Sequence, residues 1–271
     1  MHPRLAYGDG AKINVTSPFL NGYDVIFAGT SAATEPLVYL DDGVVNTLNS
    51  LVESGHSASA KAFGEMLIYP PNQGNLVIAN GIHLSYGDLT ITFANGGSAT
   101  INGSSNITNN SMFNALGGRY QADPYILNGR LTVSNGSAAD FSHAPLQGSG
   151  TIDVEAGATV DVNKVAAGLN VDLNGGTLVA TNNYGSGLSF LGAIHQAPAG
   201  TTDVLYATAA THEVFHGSTG MLDLLDQTGA AVASIKFAGA SMFYTTPDGH
   251  GGMAITTTHH IGSLPTVFDP H

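Results

Sequence analysis

Two aspartates separated by 19 residues, Asp153 and Asp172, occupy the same place in two similar segments of the chain. The segments read IDVEAGAT from Ile152 and VDLNGGTL from Val171. If they stack as neighbouring strands, the two Cα atoms lie about 5 Å apart, which suits the carboxyl separation of a retaining glycosidase. Glu155 follows on the same face, and repulsion among the carboxylates would raise one pKa, as a general acid requires. An exposed aspartate is also the ordinary choice on a soluble strand, so the catalytic assignment is the alternative interpretation.

Residues 212–216 carry the most specific chemical pattern. His212, Glu213 and His216 match H-E-x-x-H, which on a helix brings two imidazoles to one face to bind zinc, with Glu as general base. Strand-forming residues surround the pattern, Gly217 would end a helix at once, and no later glutamate offers a third ligand. We therefore expect a strand with His212 and His216 on one face, and no metal or cofactor. A zinc peptidase is the least favoured function.

Residues 55–59, Gly-His-Ser-Ala-Ser, partly match the G-x-S-x-G turn that exposes a nucleophilic serine. The second glycine is missing, so we expect Gly55 to end a helix and Ser57 to cap the next turn. Aspartate-glycine pairs could supply calcium ligands, but their spacing fits no calcium motif and predicts simple turns. These pairs are Asp9-Gly10, Asp42-Gly43 and Asp248-Gly249.

One structural unit recurs about every twenty residues. The rows LTVSNGSAADFS from Leu131, IDVEAGATVDVN from Ile152 and VDLNGGTLVATN from Val171 each place two alternating segments around a small-residue corner. A further row, LTITFANGGSATIN, starts at Leu89, 42 residues before Leu131. A sustained period of this kind predicts stacked β-coils, whereas the hairpins of an antiparallel sandwich, which Asn-Gly corners also suit, need not keep the phase. The residues predicted to point inward are Leu131, Val133, Ile152, Val154, Val171 and Leu173.

We predict an all-β fold, a right-handed parallel β-helix (β-solenoid). Apolar residues at helical spacing between Val44 and Val52 predict a short helical insert. Strands joined by Gly- and Asp-rich turns near the end of the chain predict an antiparallel β cap. The predicted boundaries are an N-terminal cap over 1–73 with its helical insert near 44–69, solenoid coils over 74–200, a C-terminal β cap over 201–258 and a loose tail over 259–271.

Composition limits the partners. Charged residues make up 10% of the 271 residues, against about 25% in ordinary soluble domains, and Gly contributes 35. The formal net charge of −13 opposes binding to nucleic acid or to an anionic membrane. No run of 18 apolar residues is present, so we expect no membrane insertion. The chain has no cysteine, and its fold therefore uses no disulfide.

The row LQGSGTIDVEAGATVDV, residues 146–162, resembles the passenger domains of Gram-negative autotransporters and related surface-exposed β-helix adhesins. In that family G-x-G-T-I-x-V-x-x-G-A-T-V-x-V is a common phrase. The resemblance covers residues 129–181 and implies coil geometry, a surface location and an adhesive role, but it assigns no functional residue. The sequence lacks the family's C-terminal membrane barrel, so we expect an excised passenger domain or another route to the surface.

These observations predict a secreted or bacterial cell-surface β-solenoid with a structural or adhesive role. Its neutral surface, rich in Asn, Thr and Ser, suits weak multivalent contacts with glycans or other cell-surface molecules, because such contacts add across repeats. The alternative is a polysaccharide hydrolase or lyase that uses Asp153 and Asp172, an analogy drawn from the fold. The oligomeric state stays open.

Overall fold

The structure is a computed structural model, and every regular element that it describes is a β-strand. Among the described residues, no helix is long and apolar enough to cross a membrane. The described residues are 2–15, 20–40, 46–68, 75–93, 98–116, 124–181, 188–196, 202–206, 211–238, 243–247 and 253–256.

The strands follow one another with short connections. The first nine are β1 (Arg4–Gly8), β2 (Lys12–Val15), β3 (Asp24–Ala28), β4 (Leu37–Leu40), β5 (Asn46–Leu48), β6 (Ser50–Ser54), β7 (Ala62–Ile68), β8 (Asn75–Ile78) and β9 (Ile82–Ser85). The next nine are β10 (Gly87–Phe93), β11 (Ser98–Ile101), β12 (Ser104–Thr108), β13 (Met112–Leu116), β14 (Tyr125–Leu127), β15 (Arg130–Val133), β16 (Ala138–Gly148), β17 (Thr151–Glu155) and β18 (Thr159–Val165). The last nine are β19 (Asn170–Asn174), β20 (Thr177–Thr181), β21 (Leu188–Gln196), β22 (Thr202–Tyr206), β23 (His212–His216), β24 (Met221–Leu225), β25 (Ala231–Ala238), β26 (Tyr244–Pro247) and β27 (Met253–Thr256).

Three parallel ladders run along the molecule, so each coil of the solenoid has three sides. Side one stacks β1, β3, β6, β9, β12, β15, β17 and β19, followed by the second half of β21. Side two stacks β2, β4, β7, β10 and β13, then the first parts of β16 and β18, then β20 and β22. Side three stacks β5, β8, β11 and β14, then the later parts of β16 and β18 and the first part of β21.

The inward residues of each side form the core. Leu131 pairs with Ile152 and Ile152 with Val171, so the predicted spacings of 21 and 19 residues are the true coil lengths. All six residues predicted to point inward are at most 2% exposed. The parallel β-solenoid predicted from the repeat is thereby confirmed, because every row gains its burial from the rows above and below.

Glycine is required where backbones of successive coils approach each other. At the corner between sides three and one, a Cβ on Gly129 would lie 1.7 Å from the carbonyl oxygen of Gly103. At the corner between sides one and two, Asn135 and Gly136 both have positive φ, 54° and 73°. Asparagine and glycine tolerate this left-handed conformation, so the Asn-Gly pair turns a coil corner and not a hairpin.

The predicted helical insert near 44–69 is not present in the described residues, which form β5, β6 and β7 there. The three-residue spacing of Leu48 and Leu51 imitates a helix because a bend at Asn49 lies between two strands and resets the alternation. Both leucines are fully buried. Residues 44, 45 and 69 lie outside the described part.

Parallel pairing also reaches further towards the N-terminus than the expected start of the coils at residue 74. β1 already pairs with β3, and β3 with β6, so coils occupy the region expected to form a cap. The row from Leu89 belongs to side two, where Leu89 pairs with Phe113, and not to the side of Leu131. Alternating segments of different sides look alike in sequence because all of them bury every second residue.

Antiparallel strands near the C-terminus agree in part with the predicted cap. β24 pairs antiparallel with β23 and β25, and β27 with β22 and β26. β22 and β25 also continue the parallel ladders from β20 and β21, so these strands are joined to the solenoid. Phe243 packs between Phe215 and Phe237, with ring centroids 4.8 and 4.6 Å away. The predicted tail over 259–271 lies outside the described residues.

We predict that Gly129→Ala destabilises the solenoid by about 1–3 kcal/mol or more. The added methyl group would meet the backbone of Gly103, which can move only together with the rest of its coil. Denaturant unfolding measures the effect. Gly217→Ala is the control, because a Cβ there meets nothing within 4 Å. Equal stability of the two variants would contradict the close stacking at this corner.

Candidate functional site

The structure brings Asp153 and Asp172 together as the sequence indicates. They are register partners on β17 and β19, and both project from the outer face of side one. Thr132 is the partner of Asp153 on the preceding coil, and its hydroxyl lies 3.4 Å from the Asp153 carboxylate. The juxtaposition that a carboxylate pair needs is therefore present.

Arg130 binds this pair, and the three residues form what we call the ion-pair cluster. A terminal guanidinium nitrogen, which also lies 3.8 Å from Asp172, donates to one carboxylate oxygen of Asp153, and Nε forms an ion-pair contact with the other oxygen. The Asp153 side chain is only 4% exposed, whereas that of Arg130 is 57% exposed. Burial raises the pKa of Asp153, Arg130 opposes this rise, and Asp172 adds to it.

The cluster is better suited to structure than to catalysis. A glycosidase nucleophile must reach the sugar, and Asp153 is covered by the arginine that neutralises it. Removing Arg130 alone would leave a buried charge without its partner, so the arginine is needed for the stability of side one. Sequence reasoning missed Arg130, although the repeat holds the signal: Arg130 pairs with Thr151, two residues before Asp153, and so lies within reach of the next coil.

Residues 212–216 form strand β23 and not a helix. At about 3.3 Å per residue, His212 and His216 lie about 13 Å apart along the strand, too far to share one zinc ion. His216 Nε2 instead lies 2.9 Å from Asp223 on β24, and Ser234 donates to the other oxygen of that carboxylate. Among the described residues, no group of three or more His, Cys, Asp or Glu side chains could hold a metal ion.

The other sequence candidates are turns. Residues 55–61 form a corner loop between β6 and β7, in which Ser57 and Ala60 form an antiparallel bridge and no helix follows. A nucleophile elbow is therefore not built at Ser57. Asp9 accepts hydrogen bonds from Thr30 and Thr34 of the next coil and fastens the two corners together. Residues 42, 43, 248 and 249 lie outside the described part.

A bulge on β16 assembles a second polar cluster that sequence reasoning did not find. Asp140 and Asp161 are register partners on side two, and the register shift after Phe141 places His143 beside them. Burial, and then Asp140, raise the pKa of Asp161 to about 6, while His143 opposes the rise. Ser142 Oγ and Asp140 both approach His143 Nδ1, at 3.0 and 3.7 Å. A Ser-His-Asp relay uses both ring nitrogens, so this arrangement is not a nucleophilic triad.

Glu53 is the most unusual titratable group of the described residues. It points inward from β6, is 1% exposed, and neither carboxylate oxygen has a hydrogen-bond partner in the described part of the chain. Its carboxyl occupies space left by two inward glycines, Gly64 and Gly87. Burial raises the pKa of Glu53 well above its usual range, and Asp88 and Glu35 add to the rise.

Substitution of Arg130 breaks the ion-pair cluster. Arg130→Met should destabilise the protein by about 1–3 kcal/mol, less than for a fully buried pair because Arg130 is half exposed. Adding Asp153→Asn should restore most of the loss, because no buried charge is then left unpaired. Denaturant unfolding of the four proteins in this double-mutant cycle measures both effects, with Lys164→Met as an exposed control. Unchanged stability in Arg130→Met would contradict the cluster.

Glu53→Gln should stabilise the protein at neutral pH and change little at pH 4. The folded-state pKa of Glu53 is raised, so above the unfolded-state value the unfolded chain ionises while the folded chain keeps its proton. Stability then falls by about 1.4 kcal/mol per pH unit until the folded-state pKa is reached, and glutamine removes that fall. Thermal unfolding from pH 4 to 8 tests this, with exposed Glu155→Gln as control. A gain that is equal at every pH would refute the assignment.

No protein family model matches the chain, and no curated protein matches it in sequence. The resemblance of residues 146–162 to autotransporter passenger domains therefore rests on the motif and on the solenoid that the motif encodes.

Proposed function

We propose that the chain is a secreted or cell-surface solenoid of the autotransporter passenger type, with an adhesive or structural role in which side one contacts glycans. One observation carries the proposal. An unbroken column of polar side chains, the polar column, follows the outer face of side one through six coils. Its members, each the register partner of the next, are His83, Asn106, Thr132, Asp153, Asp172 and His195.

The polar column is long, and much of it is accessible. Five steps of about 4.8 Å make it about 24 Å long, enough to lie along several sugar units. Asn106 and His195 are exposed, and Thr132, His83 and Asp172 are half-buried. Polar donors and acceptors therefore lie on both sides of the ion-pair cluster along this face.

Glycans fit this face better than charged partners do. Hydroxyl groups hydrogen-bond to amide, hydroxyl and imidazole groups, and many weak contacts add when a repeating ligand meets a repeating surface. The net charge of −13 opposes nucleic acid and anionic membranes. The right-handed form of the solenoid is part of the proposal, because parallel strands joined by crossovers take that hand almost without exception.

Polysaccharide cleavage by Asp153 and Asp172 is the rival function. Their register favours it, since they face each other on neighbouring coils. The cover that Arg130 gives to Asp153 disfavours it. We therefore place binding before cleavage.

Glycan-array screening of the purified chain should identify neutral glycans that bind. The double variant Asn106→Ala/His195→Ala should weaken binding to them by about tenfold or more, because it removes two exposed members of the polar column. Gln147→Ala/Ser149→Ala, exposed positions away from side one, is the matched control.

Two outcomes would overturn the proposal. If both double variants bind glycans equally well, side one is not the glycan-binding face. Release of reducing ends from a bound polysaccharide, lost in Asp153→Asn/Asp172→Asn, would establish the hydrolase instead.

A further inference from the structure

A cleft of about 300 Å³ lies at the corner between sides one and two, away from the polar column. It opens between two successive corner loops, residues 29–36 after β3 and residues 55–61 after β6. The next coil turns the same corner through Tyr86 alone. The cleft, which we call the corner cleft, is thus formed by two insertions at one place in the stack. Its lining includes Ala28, Thr30, His56, Ser59, Ala60 and Lys61.

Close backbone contacts hold the walls of the corner cleft. A Cβ on Gly29 would lie 2.4 Å from Pro36 Cδ and 2.7 Å from the Phe63 carbonyl oxygen. A Cβ on Gly55 would lie 2.4 Å from the carbonyl oxygen of Tyr86. Tyr86 itself has a φ of 51°, a left-handed conformation that a bulky side chain rarely adopts. The backbone around the corner cleft is therefore closely packed, and larger residues at Gly29 or Gly55 would disturb it.

Lys61, the charged residue in the lining of the corner cleft, is already paired. Lys61 Nζ lies 2.8 and 3.1 Å from the two carboxylate oxygens of Asp88, so its charge is already matched. His56 and Ser59 are exposed, and the Ser59 hydroxyl lies 3.1 Å from that of Ser57. These groups offer hydrogen-bond donors and acceptors, and the nearby Asp9 carboxylate is engaged by Thr30.

The remaining lining is small and suits a compact ligand. Ala28 and Ala60 are exposed and contribute methyl groups, on which the C–H face of a sugar ring can lie. The volume is at the lower end of the range for small-molecule sites. An anionic ligand would compete with Asp88 for Lys61, and a cationic ligand would compete with Lys61 for Asp88.

We propose that the corner cleft binds one unit of a neutral saccharide, through His56, Ser59 and Lys61, as a site separate from the polar column. This site goes beyond the proposed function, because a pocket for one sugar unit differs from an open face that contacts many sugar units. A site this small predicts a dissociation constant of about 1 mM for a free monosaccharide.

Saturation-transfer NMR and calorimetry with a panel of neutral mono- and disaccharides test the proposal. Glucuronate and glucosamine serve as the anionic and cationic arms. We expect neutral sugars to bind, and His56→Ala/Ser59→Ala to weaken that binding about tenfold. Ala60→Phe should abolish it by filling the cleft. Asn106→Ala/His195→Ala should leave it unchanged, which separates this site from the polar column.

Binding is compared only among variants whose thermal unfolding matches that of the parent, so that a loss of binding is not a loss of folding. Absence of binding by all neutral sugars overturns the proposal, as does a preference for glucuronate or glucosamine. Binding that survives both His56→Ala/Ser59→Ala and Ala60→Phe also overturns it. If neutral sugars do not bind in solution while array binding is lost only in the polar-column variant, the proposed function stands and the corner-cleft site does not.

Discussion

The structure depends on the in-register stacking of parallel coils. No single coil can bury its apolar row, so each inward residue gains its burial from its register partners above and below. Val154 shows this dependence: it lies between Val133 and Leu173 and is fully buried. The same stacking pairs the backbone groups of neighbouring coils, so burial and hydrogen bonding fix the same register.

Stacking also determines what the surface can do. Outward residues of successive coils form columns in which neighbouring residues lie about 4.8 Å apart, whether or not their interaction is favourable. Asp153 and Asp172 are adjacent for this reason, and Arg130 compensates for their repulsion. The other members of the polar column, such as Asn106 and Thr132, need no such compensation and stay available to a ligand. This difference is the physical basis for preferring recognition along side one to catalysis by its carboxylates.

The sequence predicted the parts of the fold in which the repeat is regular. The rows from Leu131, Ile152 and Val171 have similar lengths and corners, so their alignment yields the register directly. Between Leu51 and Ile82 a coil takes 31 residues, because a corner loop is inserted, and the period is lost. At the start of this coil, the bend at Asn49 leaves Leu48 and Leu51 three residues apart, a spacing that resembles a helix, whereas the described residues form strands.

The candidate sites were predictable only where they follow from register. Asp153 and Asp172 could be paired from the repeat, and Arg130 could have been found by extending the same alignment by one residue before Leu131. Glu53 could not, because an acidic residue beside a serine on an alternating strand predicts a solvated side chain. Its burial depends on the absence of side chains at Gly64 and Gly87, which are 11 and 34 residues away in sequence.

Disulfide cross-linking tests the stacking most directly, because the chain has no cysteine of its own. Thr151 and Asn170 are register partners on neighbouring coils, about 4.8 Å apart at Cα, within the range that a disulfide spans. Thr151→Cys/Asn170→Cys should therefore oxidise readily to an intramolecular disulfide. Asn170→Cys/Thr181→Cys should not, because these residues begin and end different sides of one coil. Cross-linking of the second pair and not the first would show an antiparallel hairpin and contradict the solenoid.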